Sequence, residues 1–229
     1  MAATIEAARS LDHSFTLTET LVIAARLHHY MGDVSGVGRV VDEALQISSR
    51  HGFPLFIAEA TVWSSWAEVV DGSDPLGLDR LRSGLDAYRS SGTEMFVPHH
   101  LTLLGEAAWR LGDGEGALAA LVEARRRAAD FGDLDHQVET LRLGAVVAAA
   151  HLGAHAEAEE LFGQAAQLAA QQGARSLAVR VAVSRADLAR QAGDQGLLDQ
   201  AMADVAARIR ELPEGASSPE LERARALAG

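Results

Sequence analysis

The chain contains no cysteine, no lysine and no asparagine. Without cysteine there is no disulfide, no thiolate zinc site and no cysteine nucleophile. Without lysine there is no Schiff base, no lysine-linked pyridoxal phosphate and no phosphate-binding lysine of a P-loop. Arginine therefore carries all the positive side-chain charge, a bias that points to genome composition rather than to function. Aromatic residues are scarce at 5%. Packing must rest on leucine, alanine and valine, which suits close helix crossings. Long apolar runs are missing too. The longest, around Val146 to Ala150, is far short of the ~20 residues that span a bilayer. Met1 to Ser10 lacks the charged start and apolar core of a signal peptide. A cytoplasmic location is expected. Positive charge is outweighed, for the formal net charge is −12. Such a chain repels phosphate backbones and anionic membranes, so neither nucleic acid nor membrane is expected as a direct partner. Arg125-Arg126-Arg127 is the one dense basic run, and it reads as a solvated helix face.

Glycine, by contrast, is placed with a regularity that organises the chain. Gly32, Gly72, Gly112, Gly153 and Gly193 recur with a period of about 40. Gly52, Gly92, Gly132 and Gly173 form a second series, offset by half a period. Two interleaved series mean two helices per repeat, each ended by a glycine that accepts the left-handed conformation. Aspartate beside several of these glycines can cap the following helix. No alternating β-branched run with a hairpin turn is present.

The expected fold is all-α: a right-handed superhelical α-solenoid of about five antiparallel helix pairs, tetratricopeptide-like, in a single domain over residues 1–229. Residues 1–12 form a leading helix, 14–211 the five pairs, and 213–229 a loop and terminal helix. The pairs run Phe15 to Met31 with Val34 to Arg50, Pro54 to Val70 with Pro75 to Ser90, and Thr93 to Leu111 with Gly114 to Asp130. Leu134 to Leu152 pairs with His155 to Gln171, and Ala174 to Gln191 with Gln195 to Glu211. Asp12-His13-Ser14 supplies capping chemistry before the first pair. Pro54, Pro75 and Pro219 fit first-turn positions, where a proline loses no internal hydrogen bond. Within the second helix of the third pair, Ala117, Leu118, Leu121, Val122 and Ala128 share one face. The repeat exceeds the 34 residues of a standard tetratricopeptide. Small residues nevertheless recur where paired helices must approach: Ala24, Ala67, Ala107 and Ala145 in first helices, and Ala44, Gly84, Ala124 and Ala165-Ala166 in second helices.

Several blocks carry a family likeness. They are Phe53-Pro54-Leu55 leading to Ala67, Asp79 to Gly92 with Tyr88-Arg89, and Leu104-Gly105-Glu106-Ala107. Glu115-Gly116-Ala117-Leu118, Glu139 to Gly144, Ala156 to Glu159 with Phe162, and Ala174 to Leu177 with Arg180 follow in order. The chain resembles the C-terminal tetratricopeptide-type repeat region of bacterial multidomain ATPase regulators, both those linked to class III adenylyl or guanylyl cyclases and those of LuxR type. The likeness runs from about Ser14 to the final helix. It implies a region that senses a ligand or partner and controls ATPase and output domains. The chain has no G-x-x-x-x-G-K-S/T motif and no cyclase or helix-turn-helix segment, so it reads as an excised domain or a stand-alone relative. No catalytic residue and no cofactor is implied.

In such solenoids the first helices face the concave side, where polar and aromatic residues are the natural binding candidates. Glu59, Trp63, Trp66, His99, Glu106, Glu139, Arg142 and Arg180 are the chosen set, with His28, His29, His100, Thr102, Trp109 and Ser184 beside them. Glu59, Trp63 and Trp66 share a face, as do Glu139 and Arg142. The tryptophans are either an aromatic wall for a ligand or core between repeats. Glu139–Arg142 is either an intrahelical ion pair or a charged anchor in the groove. His28-His29 and His99-His100 point about 100° apart along a helix, and HExxH is absent, so no metal is expected. No triad or acid–base spacing rises above the background of so many carboxylates. The expectation is therefore a non-catalytic module that binds a protein, peptide or small effector in its concave groove. Two rivals stay open. One is an enzyme with a pocket lined by Trp63, His99 and Glu106. The other is self-association through a solenoid end, giving a homo-oligomer.

Overall fold

The structure, a computed structural model, describes residues 1–72, 74, 76–132 and 136–228. Among the described residues every regular element is a helix. No helix is long and apolar enough to cross a membrane. The chain divides into two compact units, Met1–Asp113 and Gly114–Gly229.

Unit 1 holds α1 (Ala2–Ser10), α2 (Ser14–Tyr30), α3 (Val34–His51), α4 (Pro54–Val70), α5 (Gly77–Ser90) and α6 (Val97–Arg110). Helices α2 with α3, and α4 with α5, are hairpins that share long interfaces, and α3 also lies against α4. The pattern of α3 shows why. Val37, Val40, Val41, Ala44 and Ser48 are buried at helical spacing, while the intervening charged residues stay toward water. Asp33 caps its start by accepting from the Gly36 N–H at 2.8 Å. Gly52 closes it with φ +69°, a conformation that strains any residue with a Cβ. All nine glycines of the two series have φ between +64° and +82°, so the punctuation is conformational.

Helix α4 is buried on almost every side. Phe56, Ala58, Glu59, Ala60, Val62, Trp63, Ser65, Trp66, Ala67 and Val69 are all withdrawn from solvent, which is the signature of a central helix. At Gly84 an added Cβ would sit 3.2 Å from the Ala58 carbonyl oxygen and from the Thr61 side chain. The α4–α5 crossing is that tight. The alanines singled out by their recurrence behave alike: Ala24, Ala44, Ala67, Ala107, Ala124, Ala145 and Ala165 are buried, and only Ala166 is half-buried.

One boundary needs correction. The helix expected from Thr93 begins at Val97. Proline cannot sit inside a helix, and Pro98 falls in the first turn of α6. Phe96 before it takes a left-handed φ of +64°, and Met95 accepts a hydrogen bond from the Tyr88 hydroxyl at 2.7 Å. Before α2 the expected capping segment Asp12-His13-Ser14 does supply the cap, through His13, whose side chain accepts from the Thr16 N–H. The helix starts expected at Pro75 and Leu134 lie outside the described residues.

Unit 2 holds α7 (Gly114–Phe131), α8 (Gln137–Leu152), α9 (His155–Gln171), α10 (Arg175–Ala192), α11 (Gln195–Arg210) and α12 (Pro219–Ala228). Helices α8 with α9, and α10 with α11, are again hairpins, and α7 packs on α8. Helix α12 lies on α10 and α11. Leu221 and Ala224 join Val179, Ala182, Val183 and Val205 in one apolar cluster. Ser218 caps α12 by accepting from the Leu221 N–H at 3.2 Å, and Pro219 opens it as expected.

Candidate functional site

Five of the eight chosen residues meet inside unit 1. Glu59, Trp63 and Trp66 come from α4, and His99 and Glu106 from α6, all 4% exposed or less. Helix α2 adds Arg26, His29 and Tyr30. The Trp66 indole N–H donates to Glu106 Oε2 at 3.1 Å. His29 Nε2 lies 3.6 Å from the same oxygen, and Arg110 reaches Glu106 Oε1 at 3.9 Å. Glu59 is held from the other side. Arg26 donates to its Oε1 at 3.3 Å, and His100 Nε2 lies 3.7 Å from that atom.

Aromatic rings fill the space between the two carboxylates. His29 meets Trp66 edge-on at 4.9 Å and Trp63 at 5.6 Å. Trp63 meets His99 at 5.2 Å, and Tyr30 stacks on His99 at 5.6 Å. These are ordinary aromatic contact distances. The Arg26 guanidinium sits 3.6 Å over the Phe96 ring, a cation–π contact. Tyr88 packs edge-on to His100 at 4.6 Å. Burial, reinforced by the negative charge of Glu59, pushes the Tyr88 hydroxyl well above its ordinary pKa. It therefore stays protonated and keeps its bond to Met95 O.

The other three chosen residues meet inside unit 2. Glu139 on α8 is wholly buried, and Arg142 one turn on donates to it from Nε at 3.1 Å and from a terminal nitrogen at 2.8 Å. Arg180 of α10 brings its Nε to 3.5 Å from Glu139 Oε2 and 3.9 Å from Glu220 Oε2. Arg142 also donates to the Ser184 hydroxyl at 3.0 Å. Two guanidiniums and two carboxylates thus tie α8, α10 and α12 together. The pair expected to be worth a few tenths of a kcal/mol on a surface is an interior one, and a different rule governs it. Breaking such a pair strands a charge.

Chemically, Glu59, Glu106 and Glu139 are acids that each accept at least one hydrogen bond. Each carboxylate already has a cation or an N–H against it, and the rings around it are packed. The structure puts the chosen residues between the first helices of successive hairpins rather than on an exposed face. His28 lies apart from the unit 1 cluster, its Nδ1 2.8 Å from Asp33 Oδ2. Trp109 is half-buried. Thr102 is buried and donates to Pro98 O at 3.0 Å.

Sequence reasoning missed Arg26, Tyr88 and Glu220. Arg26 stands three residues before His29, so helical spacing carried the signal. Glu220 carried none, because its role depends on α12 folding back onto α10. Among the described residues no group of three metal-binding side chains is assembled.

Unit 2 also has two open hollows on its outside. One, of about 340 Å³, lies where α7, α8 and α9 meet and includes Val122, Arg125, Arg126, Gln137, Leu141 and Gln164. The other, of about 270 Å³, lies where α9, α10 and α11 meet and includes His155, Glu159, Leu188, Asp194 and Leu197. Neither contains a chosen residue. Comparison with models of known protein families, and with curated proteins, finds no match.

Proposed function

We propose that this chain is a non-catalytic, tetratricopeptide-like module for protein interaction or ligand sensing. In this reading the hairpins stack into a right-handed superhelical solenoid of about five pairs, and the eight first-helix residues border its ligand groove. The family likeness of the repeat blocks makes the sensor region of a bacterial signalling ATPase, cyclase-linked or LuxR-type, the setting we propose for it.

One observation carries the reading. Polar side chains one repeat apart are bonded to each other in both units: Trp66 to Glu106, 40 residues on, and Arg142 to Ser184, 42 residues on. Buried polar side chains used this way set the stacking of neighbouring hairpins. A ligand that prefers one stacking over another shifts the balance between them, and many small shifts along a repeat array add up. The test is a thermal-shift screen of peptides and metabolites on the purified chain. A saturable rise in melting temperature is expected for a binder. Turnover of a screened compound that vanishes in Glu106→Gln contradicts the reading in favour of an enzyme.

Self-association has its own support in unit 1. Phe15, Ile23 and Leu27 on α2 are each 47% exposed, and three such side chains on one helix form an apolar stripe. A constant monomer mass by light scattering over a hundredfold concentration range sinks this second reading.

A further inference from the structure

On the outside of unit 2, the hollow where α7, α8 and α9 meet combines charge and shape. Its volume of about 340 Å³ is bordered by Arg125, Arg126, Gln137 and Gln164. Leu141 and Val122 supply apolar lining, and Val122 is 63% exposed. In the arginine run, Arg126 is held by Asp130 at 3.0 Å and Arg127 by Glu123 at 3.3 Å. Arg125 has no acidic partner among the described residues. The expectation of a merely solvated basic face leaves the exposed valine and the hollow beside it unused.

We infer that this hollow is a docking site for a short acidic peptide segment of a partner protein. One carboxylate lies against Arg125 and Arg126 and a neighbouring apolar side chain lies on Val122 and Leu141. Guanidinium is the group best suited to carboxylate, since its planar donors can bond both oxygens. Two amides beside it add donors for a peptide carbonyl. A polyanion such as nucleic acid is disfavoured by the net charge of −12 around so small a basic spot. A free small acid is disfavoured because the hollow is open. Small-molecule sites enclose most of their ligand, whereas an extended peptide gains contacts along an open groove. The hollow contains none of the eight residues assigned to the groove, so failure of this inference leaves the reading of those residues standing.

The test is a fluorescence-polarisation titration of the full chain with a labelled hexapeptide of alternating leucine and glutamate. Direct binding that weakens with salt is expected, with an affinity loss of tenfold or more in Arg125→Gln/Arg126→Gln and a smaller loss in Val122→Ser. Arg127→Gln, outside the hollow, is expected to stay within twofold. Val122, Arg125 and Arg126 are exposed and Arg127 is half-buried, and circular dichroism checks that each variant is folded. Any of four results overturns the inference: no binding of the peptide at millimolar protein, equal binding by the double variant, equal binding of a peptide with lysine for glutamate, or displacement of the peptide by free glutamate at comparable concentration. A single-stranded oligonucleotide bound more tightly than the peptide at this site overturns it as well.

Discussion

In unit 1 the buried carboxylates lean on rings. Glu106 accepts from an indole N–H and has an imidazole nitrogen 3.6 Å away, and Glu59 accepts from Arg26 with an imidazole beside it. In unit 2 Glu139 is held by two guanidiniums. Both clusters stand on first helices, both replace what could have been aliphatic core, and both link neighbouring hairpins. The difference lies in what each cluster loses when broken. A guanidinium cannot give up its proton, so unit 2 stores its order in charges that must be matched. An indole N–H donor and packed rings can be replaced at lower cost, so unit 1, the Arg26 contact to Glu59 apart, stores its order in shape and hydrogen bonding. The contrast yields a graded set of expectations.

The largest effect is expected at Glu139. Glu139→Ala removes the acceptor shared by Arg142 and Arg180, two cations that are both nearly buried. A destabilisation of about 3–5 kcal/mol is expected for the loss of such a buried partner. Chemical denaturation should show it as early unfolding of unit 2. Trp66→Phe in unit 1 keeps a ring but deletes the donor to Glu106. A loss of about 1–3 kcal/mol is expected, measured in the same way. If the two variants lose equal stability, the contrast between the clusters is broken.

Gly52→Ala comes next. It forces a Cβ onto a backbone with φ +69° and open space around it, so strain alone acts. About 1–2 kcal/mol is expected. The smallest effect is a pH dependence at Asp33. Burial would raise its carboxyl, but hydrogen bonds from the Gly36 N–H, the Ser35 hydroxyl and His28 outweigh it and hold the pKa below its ordinary value. A depressed pKa means that the unfolded chain takes up this proton first as pH falls. The stabilisation is therefore complete above the ordinary carboxylate value of ~4 and drains away as pH drops through the lower folded value. Urea midpoints between pH 5 and 2 should fall less steeply in Asp33→Asn than in the parent chain.

The helices were legible in the sequence because glycine at Gly32, Gly52 and their successors marks a backbone geometry that few other residues accept. The start of α6 was not, because Thr93 to Phe96 is compatible with a helix and only Pro98, read strictly, forbids it. The candidate residues were legible as a set because they are polar on helices that are otherwise apolar. Their burial was not, since Glu139 and Arg142 at three-residue spacing look the same on a surface as in a core. Only Arg180 and Glu220, distant in sequence, turn that pair into an interior network.

The central physical claim is that first-helix charges are interior ties between hairpins. A double-mutant cycle on Glu139 and Arg142, read from the unfolding transition of unit 2, tests it most directly. A coupling of about 2 kcal/mol or more is expected, as for a desolvated pair whose partner is left stranded. A coupling below about 0.5 kcal/mol, the value of an exposed pair on one helix, would contradict it.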